Sequence, residues 1–258
     1  MIGIYFSGTG NTRYCIEKFL KECGYENSAY SIEDPEALER LEEAEEIVLG
    51  YPVYASNLPL IFREFLMEHR ALFYGKKVYI IATMTLFSGD GAGVLARLME
   101  KFQAKVQGGI HVIMPDCICD IKIFKKDEEG QAKILFKADR KLERAARRYM
   151  SHRPIRQGLS IPAEMLGFFA QRAHATEMVS QYSDKIKIDQ TKCVDCKKCM
   201  RVCPMDNFEI KKEKIVDRGQ CTLCYRCANL CPTQAITISG SKVHQQSKMI
   251  QRYDWEKK

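Results

Sequence analysis

The sequence predicts an α/β protein: a doubly wound, parallel five-stranded sheet, then a helical insertion and a small cysteine-rich α+β module. Three observations predict it. Short apolar runs alternate with amphipathic stretches over the first 114 residues. A loop of glycines and hydroxyls joins the first apolar run to the first helix. Eight of the twelve cysteines fall between residues 193 and 231, in two copies of one spacing. Alternating strands and helices imply a mainly parallel sheet, because a parallel pair needs a crossover connection.

The first strand is read over residues 1–6 and runs into Ser7-Gly8-Thr9-Gly10-Asn11-Thr12. A helix follows, with Cys15, Ile16, Phe19, Leu20 and Cys23 on one face. The second strand lies within residues 25–32, followed by an acidic helical stretch over 34–46. The third strand, 47–51, ends in Tyr51-Pro52-Val53-Tyr54-Ala55-Ser56, and Asn57 is expected to cap a helix carrying Leu58, Ile61, Phe65 and Leu66. The fourth strand, 77–83, opens into residues 85–91. The next helix buries Val94, Leu95, Leu98, Met99 and Phe102, and the fifth strand is 109–114.

Residues 115–183 form an extension. Its Lys122–Lys137 segment reads as a hairpin or extended excursion around Glu128-Glu129-Gly130. The helix after it pairs an apolar stripe of Leu142, Ala145, Ala146 and Tyr149 with an opposite face of Arg140, Arg144, Arg147 and Arg148, read as solvated. A further helix is expected over 161–179. Cys117 and Cys119 point to opposite faces if they lie on a strand and are read as packing residues, like Cys15 and Cys23. His69, His111, His152, His174 and His244 are scattered singly, so no catalytic residue is assigned.

The cysteine runs are Cys193, Cys196, Cys199, Cys203-Pro204 and Cys221, Cys224, Cys227, Cys231-Pro232. Each is C-x-x-C-x-x-C-x-x-x-C-P, the iron–sulfur spacing in which the fourth cysteine serves the other cluster. The expected ligand sets are therefore Cys193, Cys196, Cys199 and Cys231 for one [4Fe–4S] cube, and Cys221, Cys224, Cys227 and Cys203 for the other. A tetrahedral zinc site has no use for a third cysteine at the same short step. Disulfides require an exported chain, and residues 1–6 lack the charged start of a signal peptide. The repeat, offset by 28 residues, predicts a pseudo-twofold module at 184–240 with short helices after Cys203 and Cys231 and a hairpin over residues 209–216. This segment resembles the bacterial two-cluster ferredoxins. The tail, 241–258, wraps back or is disordered.

The formal charge is +7, and all of the excess falls after residue 183. Cubes held by thiolates are net negative, so the loaded protein is less basic. This weakens nucleic-acid binding as an explanation. No apolar run approaches the ~20 residues of a membrane span, and the expectation is a cytoplasmic protein with free cysteines.

The N-terminal loop fails the dinucleotide fingerprint, since its sixth position from Gly8 is Arg13. Its interleaved hydroxyls suit a monophosphate, and the strand, loop and helix resemble the phosphate loop of the flavodoxins. That resemblance implies strand order 2-1-3-4-5 over residues 1–114 and FMN as cofactor. Ser7, Gly8, Thr9, Gly10, Asn11 and Thr12 would take the phosphate. Pro52, Val53 and Tyr54 would flank one side of the ring, and Thr85, Leu86, Phe87, Gly89 and Gly91 the other, with Tyr54 and Phe87 as stacking candidates. Nearly the whole chain resembles the flavodoxin-plus-ferredoxin fusions of anaerobes. The implied function is electron transfer between two [4Fe–4S] clusters and FMN, coupling one- and two-electron carriers. An acidic ferredoxin or a small organic acceptor is the expected partner. The competing reading is a redox or oxygen sensor with clusters but no working flavin.

Overall fold

A computed structural model describes residues 1–54, 57–87, 90–160 and 186–255. The sheet comprises β1 (Ile2–Tyr5), β2 (Ala29–Ser31), β3 (Glu46–Pro52), β4 (Lys77–Met84) and β5 (Lys105–Ile113) in the order β2-β1-β3-β4-β5. Every pairing is parallel, as in Ile4 opposite Leu49 and Leu49 opposite Ile80. The expected fold class and strand order are present. Successive side chains of a strand point to opposite faces, and both faces here are apolar. Ile47, Leu49 and Tyr51 pack with α2 (Ala37–Glu43), α3 (Leu60–Glu68) and α4 (Gly91–Lys101), whereas Val48, Tyr79, Ile81 and Val112 pack with α1 (Asn11–Glu22) and α5 (Glu128–Met150). Crossovers on both faces are what a parallel sheet requires.

Two helix expectations in this half change. Asn57 does not cap α3, which begins at Leu60 behind Pro59; the Asn57 Oδ1 atom accepts from the Leu58 N–H instead, and Phe62 and Leu66 carry the buried face. Residues 122–137 form no hairpin. Asp127 accepts from the Gly130 N–H at 2.8 Å, so residues 128–130 are the first turn of the 23-residue α5. An N-cap aspartate followed by Glu128 and Glu129 favours a helix start, and this outweighs Gly130. Ala138, Leu142, Ala145 and Ala146 of α5 are buried, while Arg140, Arg144, Arg147 and Arg148 are exposed. The helix expected over 161–179 lies outside the described residues.

The C-terminal module holds β6 (Lys187–Ile188) antiparallel to β9 (Ile236–Thr237), and the hairpin β7 (Phe208–Lys211) and β8 (Lys214–Asp217). Its helices are α6 (Lys198–Val202) and α7 (Arg226–Leu230). They precede Cys203 and Cys231 rather than follow them. A residue before proline is pushed out of the helical region, so each helix stops at the cysteine that leads into Pro204 or Pro232, and Cys199 and Cys227 lie inside the helices. The 28-residue repeat is written in the backbone too, with left-handed residues at Asp195 and Leu223, Lys197 and Tyr225, and Asp206 and Gln234.

The tail wraps back on the sheet half as far as it is described. Met249 enters the core beneath α1 and α5, the Tyr253 hydroxyl donates to Glu17 at 2.9 Å, and the Trp255 indole N–H donates to the Ile250 carbonyl.

Candidate functional site

A cavity of about 280 Å³ opens beyond the carboxyl ends of β1, β3, β4 and β5, the edge at which open α/β sheets bind ligands. Its floor is the loop from Ser7 to Thr12. Ser7, Thr9 and Thr12 are all buried, the Ser7 hydroxyl accepts from the Gly10 N–H at 3.1 Å, and the Thr12 and Thr83 hydroxyls bond at 2.8 Å. Gly10 sits at φ +97° at the head of α1, where a side chain would meet the Tyr253 ring. Asn11 donates to the Pro115 carbonyl while its buried Oδ1 atom has no hydrogen-bond partner among the described residues. An orphaned acceptor beside a hydroxyl-lined helix start fits a ligand carrying a phosphate and hydroxyl donors.

Pro52, Val53 and Tyr54 form one wall and Met84 and Thr85 another. Burial holds the Tyr54 phenol well above its ordinary pKa, so it stays neutral. Leu86 and Phe87 stand outside the wall, 60% and 58% exposed, and Gly91 is buried as the first residue of α4, accepting from the Tyr51 hydroxyl. Gly89 lies outside the described residues.

Two sets of lining residues were not expected. Met114 just past the end of β5 and Pro115, Cys117, Ile118 and Ile121 from the start of the extension form one set, and Leu223, Tyr225 and Ser239 from the cysteine module the other. Cys117 is not on a strand, because β5 ends at Ile113 and the chain turns inward over the cavity. Burial pushes its thiol up to about 12. Cys119 does pack, in the core of the cysteine module, and Cys15 and Cys23 are buried beneath α1.

The eight motif cysteines gather into two recesses. One is lined by Cys193, Cys196, Cys199 and Cys231, the other by Cys203, Cys221, Cys224 and Cys227. These are the two crossed sets that the spacing predicts. We call the first the outer quartet, because Cys196 and Val194 are exposed, and the second the inner quartet. Tyr225 lines both the inner recess and the large cavity.

Backbone N–H groups point at the sulfurs: Asn207 at Cys203 (3.4 Å), Leu223 at Cys221 (3.3 Å) and Ala235 at Cys231 (3.3 Å). Burial pushes Cys221 up to about 12, Cys199 and Cys224 up to about 11, and Cys227 well above the usual thiol value. As bare thiols they keep their protons, so metal loading displaces protons there. Two buried donors that line the inner recess, Asn207 Nδ2 and Thr222 Oγ1, have no partner among the described residues. Unmet donors beside four sulfurs fit a cluster with bridging sulfides as acceptors. Among the described residues no three His, Cys, Asp or Glu groups sit as a single-ion site.

The modules are joined by buried polar contacts that no motif announces. Arg226 is 3% exposed and forms a two-bond pair with Glu33 at 2.7 and 2.8 Å. Asn229 donates to the Cys117 carbonyl, and Asp120 accepts from the N–H groups of Ile238, Ser239 and Gly240. Gly8 lies against the Cys224 carbonyl, which would be 2.3 Å from an added Cβ.

A family model for a flavodoxin domain matches residues 2–118, and one for a 4Fe–4S dicluster domain matches residues 180–236. No curated protein matches the chain. Among solved structures, the two-electron reduced flavodoxin of Megasphaera elsdenii is 25% identical, with 55% of this chain and 99% of that one covered and a TM-score of 0.39. A flavodoxin from the domain Archaea is 20% identical, with coverage of 58% and 97% and a TM-score of 0.42. General stress protein 14 of Treponema denticola, in complex with FMN, is 13% identical, with coverage of 58% and 94% and a TM-score of 0.38. The matching domains define an electron-transfer iron–sulfur flavoprotein. The chain is a flavodoxin-plus-ferredoxin fusion, with an FMN-binding fold at its N-terminus and a 4Fe–4S dicluster domain at its C-terminus.

Proposed function

We propose that this chain exchanges electrons between FMN and two [4Fe–4S] clusters, with the inner quartet next to the flavin and the outer quartet meeting a redox partner. The observation that carries this reading is the shared wall: Tyr225 lines the inner recess and the cavity at once. When bound, the flavin would supply a two-electron store and the cubes single-electron relays. Cys193, Cys196, Cys199 and Cys231 would hold one cube, and Cys203, Cys221, Cys224 and Cys227 the other. Ser7 to Thr12 would hold the FMN phosphate, with Tyr54 beside the ring. Leu223 and Ile118 line the same cavity and would keep water from the bound ring. The chain's own work is thus spacing, exclusion of water and N–H donation to sulfur, with no proton donor needed for electron transfer itself.

The outer quartet has a basic rim. Lys197 and Lys198 line its recess, Arg201 donates to the Cys196 carbonyl, and exposed Lys192 is paired with Asp189 at 3.1 Å. This favours an acidic electron-transfer protein as partner over a small organic acceptor, since charge complementarity steers encounter. Among the described residues no helix is long and apolar enough to cross a membrane.

Anaerobic purification followed by iron, sulfide and flavin quantification tests the reading. It predicts two four-iron cubes and one FMN per chain. Zinc in place of iron, or a chain that leaves added FMN free, overturns it.

A further inference from the structure

We infer that Arg226 is a positioning residue that couples loading of the inner quartet to capture of the flavin phosphate, so that each strengthens the other. The inference rests on the function proposed above. Arg226 lies between Cys224 and Cys227, at the start of α7. Its guanidinium donates to the Ser7 carbonyl at 2.9 Å and the Gly8 carbonyl at 3.3 Å, and to the Val202 carbonyl, one residue before Cys203, at 3.1 Å. Glu33 holds it from one side, and the Trp255 ring lies 4.6 Å from it on another. One buried cation therefore links both chain segments that carry the inner quartet to the back of the Ser7–Thr12 loop.

The chemistry of an anion loop explains why that contact matters. Its N–H groups must turn toward the anion, which leaves the carbonyls of Ser7 and Gly8 turned the other way, buried and in need of donors. Arg226 supplies them. The segment that carries Arg226 depends in turn on the quartet. Leu223 and Tyr225 hold left-handed backbone at φ 58° and 59°, a conformation that persists in such residues only when its surroundings over-determine it. Four thiolates on one cube provide that constraint. Without the cube, residues 221–227 relax, and Arg226 and the Cys224 carbonyl withdraw from Ser7 and Gly8. With phosphate bound, those carbonyls are fixed and anchor Arg226. Linkage makes the effect reciprocal.

The test is flavin fluorescence titration of the full chain, anaerobically loaded with clusters and then stripped of iron, using both FMN and riboflavin. Riboflavin lacks the phosphate, so it reports the ring pocket alone. Stripping iron should weaken FMN by about tenfold, within the usual range of coupled sites, and riboflavin by less, since Leu223 and Tyr225 also line the ring side of the cavity. Iron-loaded Arg226→Gln should reproduce that loss, with Arg226→Lys intermediate, and saturating FMN should slow chelator removal of iron from the inner quartet. Should Arg226→Gln fail to fold, Glu33→Gln loosens the same guanidinium without touching either loop, and a smaller FMN-selective loss is expected. Equal FMN affinity in loaded and stripped protein overturns the inference. So does a parallel fall of FMN and riboflavin in the loaded variants, which would mark a general packing role. Failure of the functional reading looks different: the native chain then takes up no iron, or neither flavin.

Discussion

The two cysteine repeats share a spacing and a backbone path, yet they end in opposite environments. At the left-handed positions the outer repeat places Asp195 and Lys197, and the inner repeat, 28 residues on, places Leu223 and Tyr225. Lys198 of the outer repeat corresponds to Arg226 of the inner, and Arg201 to Asn229. Arg201 is exposed and donates to the Cys196 carbonyl of its own repeat, whereas Asn229 is buried and donates across to the Cys117 carbonyl. The cysteines thus set what each repeat can bind, and the residues between them set which repeat lies against the sheet half.

The largest effect should separate the two repeats outright. Cys227→Ser and its counterpart Cys199→Ser are each expected to remove about half the iron. Both should slow reduction of the flavin by a donor protein in stopped-flow absorbance, because the proposed path runs through both cubes, but only the inner change should also weaken FMN in the fluorescence titration. Equal FMN affinity in the two variants would erase the distinction.

Exchanging the intervening residues probes it more finely. Leu223→Asp copies the outer residue into the cavity wall, buries a charge without a partner, and should weaken FMN by on the order of tenfold to a hundredfold. Asp195→Leu should leave FMN affinity unchanged in the same titration. Asp120→Ala removes the acceptor of three N–H groups, that of Ile238 fully buried and those of Ser239 and Gly240 partly so, and should cost about 3 kcal/mol in urea unfolding. An unchanged midpoint would show that the modules are not held there. Lys192→Glu with Lys197→Glu should slow reduction by an acidic donor protein about tenfold at low salt. The difference should vanish in high salt, because rim charges act through screened encounter.

Much of this was legible in the chain. The parallel sheet follows from apolar runs of strand length alternating with helical stripes, its strand order from the resemblance to the flavodoxins, and the crossed quartets from the cysteine spacing alone. The loop along the cavity was readable because strand, glycine and hydroxyl signals coincide at Ser7 to Thr12. Glu128-Glu129-Gly130 at the middle of residues 122–137 suggests a hairpin or extended excursion, whereas Asp127 followed by two glutamates is a helix start. The short helices lie before Cys203 and Cys231, not after them as the repeat suggests, because Pro204 and Pro232 push the preceding residue out of the helical region. Leu86 and Phe87 were drawn to the ring side by position in the loop, and the structure leaves both outside the cavity wall.

The contacts between the halves were not legible in the same way. Arg226 reaches Ser7 and Gly8 across more than 200 residues, and its partners there are backbone carbonyls, which leave no trace in residue types. One signal was available. Within a 28-residue repeat, the copy with Leu223 and Tyr225 where the other has Asp195 and Lys197 is the copy expected to be buried.

The central claim is that the inner quartet sits at the flavin wall while the outer quartet faces solvent. Iron anomalous scattering from crystals of the anaerobically loaded, FMN-bound protein tests it most directly. The account predicts two four-iron centres, one among Cys203, Cys221, Cys224 and Cys227 against the Leu223–Tyr225 wall and one beside exposed Cys196. Single-ion peaks, or iron confined to the Cys196 side with none next to the flavin, would contradict it.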